Sequence, residues 1–122
     1  MASESNHPPD ETSARRNHYV KEWRDFMGWT QEELAEMAHV SLSKISRLEN
    51  SKRGLKADFL QVLGAIFGVQ GGALLEVNPA TEEGARTAHM LQAWNLLTSS
   101  QQSDVLKMIQ SLVPPNDKDD DA

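Results

Sequence analysis

Apolar residues recur at helical spacing through most of this chain, and no stretch alternates as a half-buried strand does. Val20, Trp23 and Met27 fall at i, i+3 and i+7 with Phe26 on the flank, which predicts a first helix over about 17–27. Gly28 follows, where a helix end often needs a left-handed residue. Thr30 and Glu33 form a capping box that opens a second helix reaching about Ala38. Ser41 is a candidate N-cap for a third helix over 42–50. A fourth helix is predicted over about 56–67, with Leu60, Leu63 and Phe67 inward and Gly68 as its stop. Residues 71–76 form a short fifth turn of helix, and Asn78-Pro79 marks a boundary. Beyond it, Ala88, Leu91, Trp94 and Leu97 recur at three-residue steps and predict a helix over 82–97. Glu82 and Glu83 lie in its first turn, where the helix dipole favours them. Ser99 and Gln102 read as a second capping box, opening a last helix to about Val113 that buries Val105, Leu106, Ile109 and Leu112. Pro114-Pro115 ends it.

The twenty residues QEELAEMAHVSLSKISRLEN, from Gln31 to Asn50, carry the most chemistry. Two short helices and a tight turn stand there in the order that a helix-turn-helix needs. Leu34, Ala38, Ile45 and Leu48 are spaced to pack the two helices together. Ala35 is small where the helices approach, and Val40 fills the corner. The outer face of the second of these helices is left polar and cationic, a surface suited to a duplex.

Composition refines this picture. A chain of 122 residues with 39% apolar content makes one domain and leaves room for a small appended element. Cysteine is absent, which excludes disulfides, thiolate metal sites and cysteine catalysis and is consistent with a reducing cytoplasm. No apolar run approaches membrane-spanning length, and the polar N-terminus is not a signal peptide. The net charge of −6 argues against a nucleic-acid partner only when read globally. Residues 41–56 alone carry a net +4, from Lys44, Arg47, Lys52, Arg53 and Lys56 against Glu49. Steering depends on the local patch. The expected organisation is a disordered segment over 1–14, a helical domain over 15–78 with Arg15-Arg16 as the start of a basic arm, a helical hairpin over 79–113, and a loose acidic tail over 114–122.

GWTQEELAEMA (Gly28–Ala38) and ISRLEN (Ile45–Asn50) are closely similar to the two halves of the phage repressor/Cro signature, at the family's separation. Residues 18–75, about half the chain, thus resemble this family, also called XRE. Three positions depart from its pattern: His39 replaces the usual turn glycine, Ser51 replaces the glycine after Glu-Asn, and Leu55 stands where many members have proline or a polar residue. The resemblance implies an all-α protein with a five-helix repressor-like DNA-binding domain; the two C-terminal helices carry more apolar surface than a hairpin can bury alone and are expected to form a dimerisation hairpin with Trp94 central. The resemblance also implies a cytoplasmic, sequence-specific regulator of transcription, a homodimeric repressor of a phage, prophage or bacterial promoter, whose third helix enters the major groove of an inverted-repeat operator. Carried over residue by residue, Leu42, Ser43 and Arg47 are the candidate base readers, and Lys44 stays open between groove edge and phosphate. Gln31, Ser41, Ser46, Asn50, Lys52 and Arg53 are the candidate phosphate contacts. Arg24 and Glu49 match positions that form a scaffold ion pair between the first and third helices. Leu91, Trp94, Leu97, Val105, Ile109 and Leu112 are the expected dimer interface.

Several of these residues also fit simpler roles. A small helical bundle without a DNA role would explain Ala35, Ile45 and Leu48 but not the polar outer face. Lys52, Arg53 and Lys56 also fit an ordinary solvated loop. His7, His18, His39 and His89 lack metal-ligand spacing and read as surface or turn residues, so no metal or other cofactor is expected. Trp23, Trp29 and Trp94 read as packing residues rather than stacking platforms. Glu32, Glu33 and Glu36 read as helix surface and capping box, not as a catalytic carboxylate pair, and the chain offers no nucleophile–base pairing, so an enzyme is not expected. The acidic tail is either a solubilising end or a competitor of DNA for the basic face. An alternative function is an antitoxin that binds a toxin and represses its own operon.

Overall fold

The structure, a computed structural model, describes residues 17–50 and 55–114. These residues form α1 (Val20–Met27), α2 (Gln31–Ala38), α3 (Leu42–Asn50), α4 (Ala57–Phe67), α5 (Ala73–Glu76), α6 (Glu82–Asn95) and α7 (Ser99–Leu112), with no strand among them. The segments 1–16, 51–54 and 115–122 lie outside the described residues, and with them the predicted N-terminal segment, basic arm, basic loop and acidic tail.

α1 starts three residues later than the periodicity predicts. Asn17 has φ 65°, a left-handed conformation that a right-handed helix cannot include. His18 is buried, correcting the surface reading, and its Nδ1 accepts the Val20 N–H at 3.3 Å. Gly28 takes φ 77°, and its N–H bonds back to carbonyls of the last turn of α1.

One cluster unites the first six helices. Val20 and Trp23 of α1, Leu34 and Ala35 of α2, Ile45 of α3, Leu63 and Phe67 of α4, Leu74 of α5 and Ala88 of α6 are all buried in it. Trp23 is its centre. Its ring meets Phe26 edge-on at 5.9 Å and Phe67 at 6.0 Å, and its Nε1 donates to the Val77 carbonyl at 3.0 Å. Trp29 stacks on the other side of Phe67 at 5.7 Å. The indole N–H thus finds an acceptor while the rings supply apolar area.

Between α5 and α6 the chain turns tightly at Asn78–Thr81. Thr81 caps α6, accepting the Gly84 N–H at 2.9 Å and donating to the Asn78 carbonyl at 3.0 Å. A Cβ on Gly84 would lie 1.8 Å from that Asn78 oxygen, so only glycine lets the turn close against the helix.

Two expectations for the C-terminal part need correction. The box that opens α7 is Thr98 with Gln101, one residue before the predicted pair: the Thr98 Oγ1 accepts the Gln101 N–H at 3.1 Å and Gln101 Oε1 accepts the Thr98 N–H at 2.9 Å. Both pairs satisfy the motif, and the extended backbone falls at Thr98. More important, α7 buries none of its residues. Val105 is half-buried, whereas Leu106, Ile109 and Leu112 are exposed, Leu112 to 75%. Among the described residues nothing covers the apolar face of this 14-residue helix. α6 also ends at Asn95, two residues early, with Leu96 85% exposed.

His39, at the end of α2, holds φ 60° and ψ 42°. A side chain in that conformation costs roughly 1–2 kcal/mol, which glycine avoids. Part of that gain is lost because glycine also frees the unfolded chain, by roughly 0.4–1 kcal/mol. His39→Gly is therefore expected to raise stability by up to about 1 kcal/mol in urea unfolding. A lower midpoint with an unchanged slope would show that the turn carries no such strain.

Candidate nucleic-acid interface

Local chemistry fixes the geometry of the α2–turn–α3 unit. The Thr30 Oγ1 accepts the Glu33 N–H at 3.0 Å and Glu33 Oε1 accepts the Thr30 N–H at 2.8 Å, so α2 begins where the capping box requires. The left-handed His39 reverses the chain, and the Val40 N–H returns to the Ala35 carbonyl at 3.0 Å. Ser41 then caps α3, its Oγ accepting the Lys44 N–H at 3.1 Å.

α3 has two faces. Ile45 and Glu49 are buried, and Leu48 is half-buried beside them. Leu42, Ser43, Lys44, Arg47 and Asn50 are exposed, with Ser41 just before them, while Ser46 is half-buried. An exposed leucine among cationic and hydroxyl side chains gives this surface both apolar and hydrogen-bonding character. No hydrogen bond or ion pair ties Arg47 to the described residues. Asn50 Nδ2 donates to the Ser46 carbonyl at 2.9 Å, so one of its donors serves its own helix. Lys52 and Arg53 lie outside the described residues.

Behind this face sits a buried charge network. Arg24 of α1 grips Glu49 with two bonds, Nε to Oε2 at 2.7 Å and Nη2 to Oε1 at 3.1 Å. Its Nη1 donates to the Trp29 carbonyl at 2.6 Å. The hydrogen bond to Glu49 raises the guanidinium pKa above its usual value; burial opposes this and the Glu49 and Asp25 charges add to it. Arg24 therefore stays cationic throughout the pH range of a folded protein. Gln31 joins the network as well: its Nε2 donates to Glu49 Oε1 at 2.9 Å. The first side chain of α2 is thus held by the carboxylate that locks α3 to α1.

Lys44 has a partner that sequence reasoning missed. Its Nζ lies 4.7 Å from the centre of the Phe59 ring on α4. Such a contact is worth roughly 0.5–1 kcal/mol at an exposed site. It draws the ammonium toward the first turn of α4. Nothing in the spacing of two residues on different helices announces it.

The remaining candidates lie apart from this face. Leu91 packs against the core of its own chain, and Trp94, Leu97 and Val105 are half-buried. His39 and His89 are both exposed, and His89 lies 4.8 Å from Phe26, ring to ring. Among the described residues no group of histidine and acidic side chains is placed to hold a metal ion. An open cleft of roughly 470 Å³ runs between the C-terminal end of α4 and α6, lined by Met27, Ile66, Val69 and Leu96 among others; no residue of α2 or α3 reaches it. Among the described residues no helix is long and apolar enough to cross a membrane.

Comparison with known proteins agrees with this geometry. Residues 20–74 match a protein-family model described as "Helix-turn-helix". A competence pilus inhibition repressor from Acinetobacter baylyi is 42% identical over 48 residues, which cover 39% of this chain and 44% of that protein. The chain thus spans less than half the length of this curated relative. No solved structure matches it.

Proposed function

We propose that this chain, whose residues 20–74 match a helix-turn-helix family model, is a DNA-binding regulator of transcription and, within that role, a dimeric repressor of a palindromic operator. One observation carries the reading: α3 is anchored by Ile45 and Glu49 while Leu42, Ser43, Lys44 and Arg47 are left exposed. In this reading that exposed surface enters the major groove. Arg47 donates two bonds to guanine O6 and N7, Leu42 meets a thymine methyl, and Ser43 accepts or donates to whichever edge lies nearest. Lys44, drawn toward α4, serves phosphate rather than base. Gln31, Ser41, Ser46, Asn50, Lys52 and Arg53 flank the groove and set register on the backbone. Gln31 reaches phosphate with the donor that Glu49 does not hold, near the free N–H groups opening α2. The name of the Acinetobacter baylyi relative supports the word repressor, since occupancy of an operator excludes polymerase. The protein acts in the cytoplasm of a bacterium, from a chromosomal or prophage gene.

The second copy pairs through α7. Leu106, Met108, Ile109 and Leu112 are all exposed on this one helix, with Leu96 before it and Val113 just after it. A helix that none of the described residues buries is stabilised when an identical helix covers it, and a two-fold axis makes that contact self-complementary. Ile109→Asp with Leu112→Asp in the full chain is expected to give folded monomers by light scattering, with helical circular dichroism retained. A dimer mass unchanged by this pair would remove α7 from the interface.

Footprinting tests the reading as a whole. The full chain should protect an inverted repeat at nanomolar-scale concentration, and protection should fall steeply as salt rises. Uniform coverage of DNA with no preferred sequence would defeat it.

A further inference from the structure

Three side-chain amides join the C-terminal helices to the head. Gln92 Nε2 donates to the Phe67 carbonyl at 2.9 Å, and Asn95 Nδ2 donates to the Gly68 carbonyl at 3.1 Å. Both acceptors lie at the C-terminal end of α4, where helix carbonyls lack partners within the helix. Gln102 Nε2 of α7 then donates to the Trp94 carbonyl at 2.9 Å, in the last turn of α6. Ala88 seats the middle of α6 in the common core, and Leu91 packs against it. The joints thus run in series: α3 to α1 through Glu49 and Arg24, the core to α4, α4 to α6, and α6 to α7.

The chemistry of these joints differs from ordinary packing. An apolar contact is non-directional and allows one helix to slide or roll on another. A hydrogen bond requires distance and angle together. Two of them, one residue apart in acceptor and three apart in donor, hold α6 against both rotation and translation at the end of α4. The capping box falling at Thr98 rather than Ser99 leaves Gln102 available for Trp94, which fixes the direction in which α7 leaves.

From this arrangement we infer that Gln92, Asn95 and Gln102 are positioning residues that set the half-site spacing the dimer accepts. The inference rests on the operator-binding, α7-paired dimer described above. Along a duplex, one added base pair moves a half-site by roughly 3.4 Å and turns it by roughly 35°. Two heads indexed rigidly to a shared α7 seam follow neither displacement. Heads on loose joints follow both.

The test uses the full chain and DNA selected from a random library. Sites so obtained are rebuilt with the centre shortened or lengthened by one and two base pairs. The natural protein is expected to lose at least about tenfold in affinity per base pair of altered spacing, because DNA must deform where the protein does not. Gln92→Leu with Asn95→Leu should reduce that penalty to less than about threefold, with the half-site sequence and the dimer mass unchanged. Gln102→Leu lies outside the core and leaves the head folded, and it should shift the spacing profile in the same direction. A natural protein indifferent to spacing, or variants that keep the full penalty, would overturn the inference while leaving the operator reading intact. Selection of single, unpaired half-sites would instead defeat the dimeric operator reading and this inference with it.

Discussion

Glu49→Ala is expected to lower stability by about 3–5 kcal/mol, because it leaves the buried Arg24 guanidinium without the carboxylate that holds it. For a domain of this size that corresponds to a fall of at least about 12 °C in Tm. The loss is not a measure of what the pair adds to folding. Burying both charges costs much of what their attraction returns, and the penalty arises from removing one partner alone. Glu49→Gln separates the contributions. It keeps the shape and an acceptor for Arg24 but removes the charge, and should lose only about 1.5–3 kcal/mol. Arg24→Met with Glu49→Leu removes both charges and should recover most of the loss of Glu49→Ala. If Glu49→Ala melts within about 4 °C of the natural protein, a shift worth no more than about 1 kcal/mol, the network is not the anchor of α3. The same substitution takes an acceptor from Gln31, so any folded fraction should bind DNA with a reduced phosphate contribution.

Arg47→Ala should weaken binding to the selected site by about 5–150-fold, the range for loss of one bidentate guanine contact worth about 1–3 kcal/mol. Affinity for random duplex should fall by less than about threefold, since removing one exposed charge slightly reduces the nonspecific attraction. Stability should not change measurably, because Arg47 is exposed and no hydrogen bond or ion pair ties it to the described residues. Arg47→Lys is informative beside it. Lysine keeps the charge but offers a point donor in place of a planar fork, so it should preserve random binding and still lose specificity. Equal losses on both kinds of DNA would assign Arg47 to phosphate and leave base reading to Leu42 and Ser43.

Much of this molecule was legible in its residues alone. The helix-turn-helix could be drawn from Thr30, Glu33, Leu34, Ala35, Ile45 and Leu48 because capping and 3.6-residue periodicity are local rules. They operate within one or two turns, and the structure follows them there: α2 runs from Gln31 to Ala38 and α3 begins at Leu42 as expected. The family resemblance carried the choice of outward residues on α3, which the structure leaves exposed. Where local rules gave two equal answers, as at Thr98 and Ser99, the sequence offered no way to choose.

The chain by itself thus determined which segments coil and which face of each is apolar, and it placed the helix starts only to within a few residues. What covers those faces was decided only in three dimensions. The burial of His18, the hold of Glu49 on Gln31, the ring of Phe59 beneath Lys44 and the amides of Gln92 and Asn95 on α4 all join residues by directional contacts that leave no periodic trace. The exposed side of α7 belongs with them. Periodicity marks it as an apolar surface, and only the packing of the other helices into one core shows that no described residue buries it.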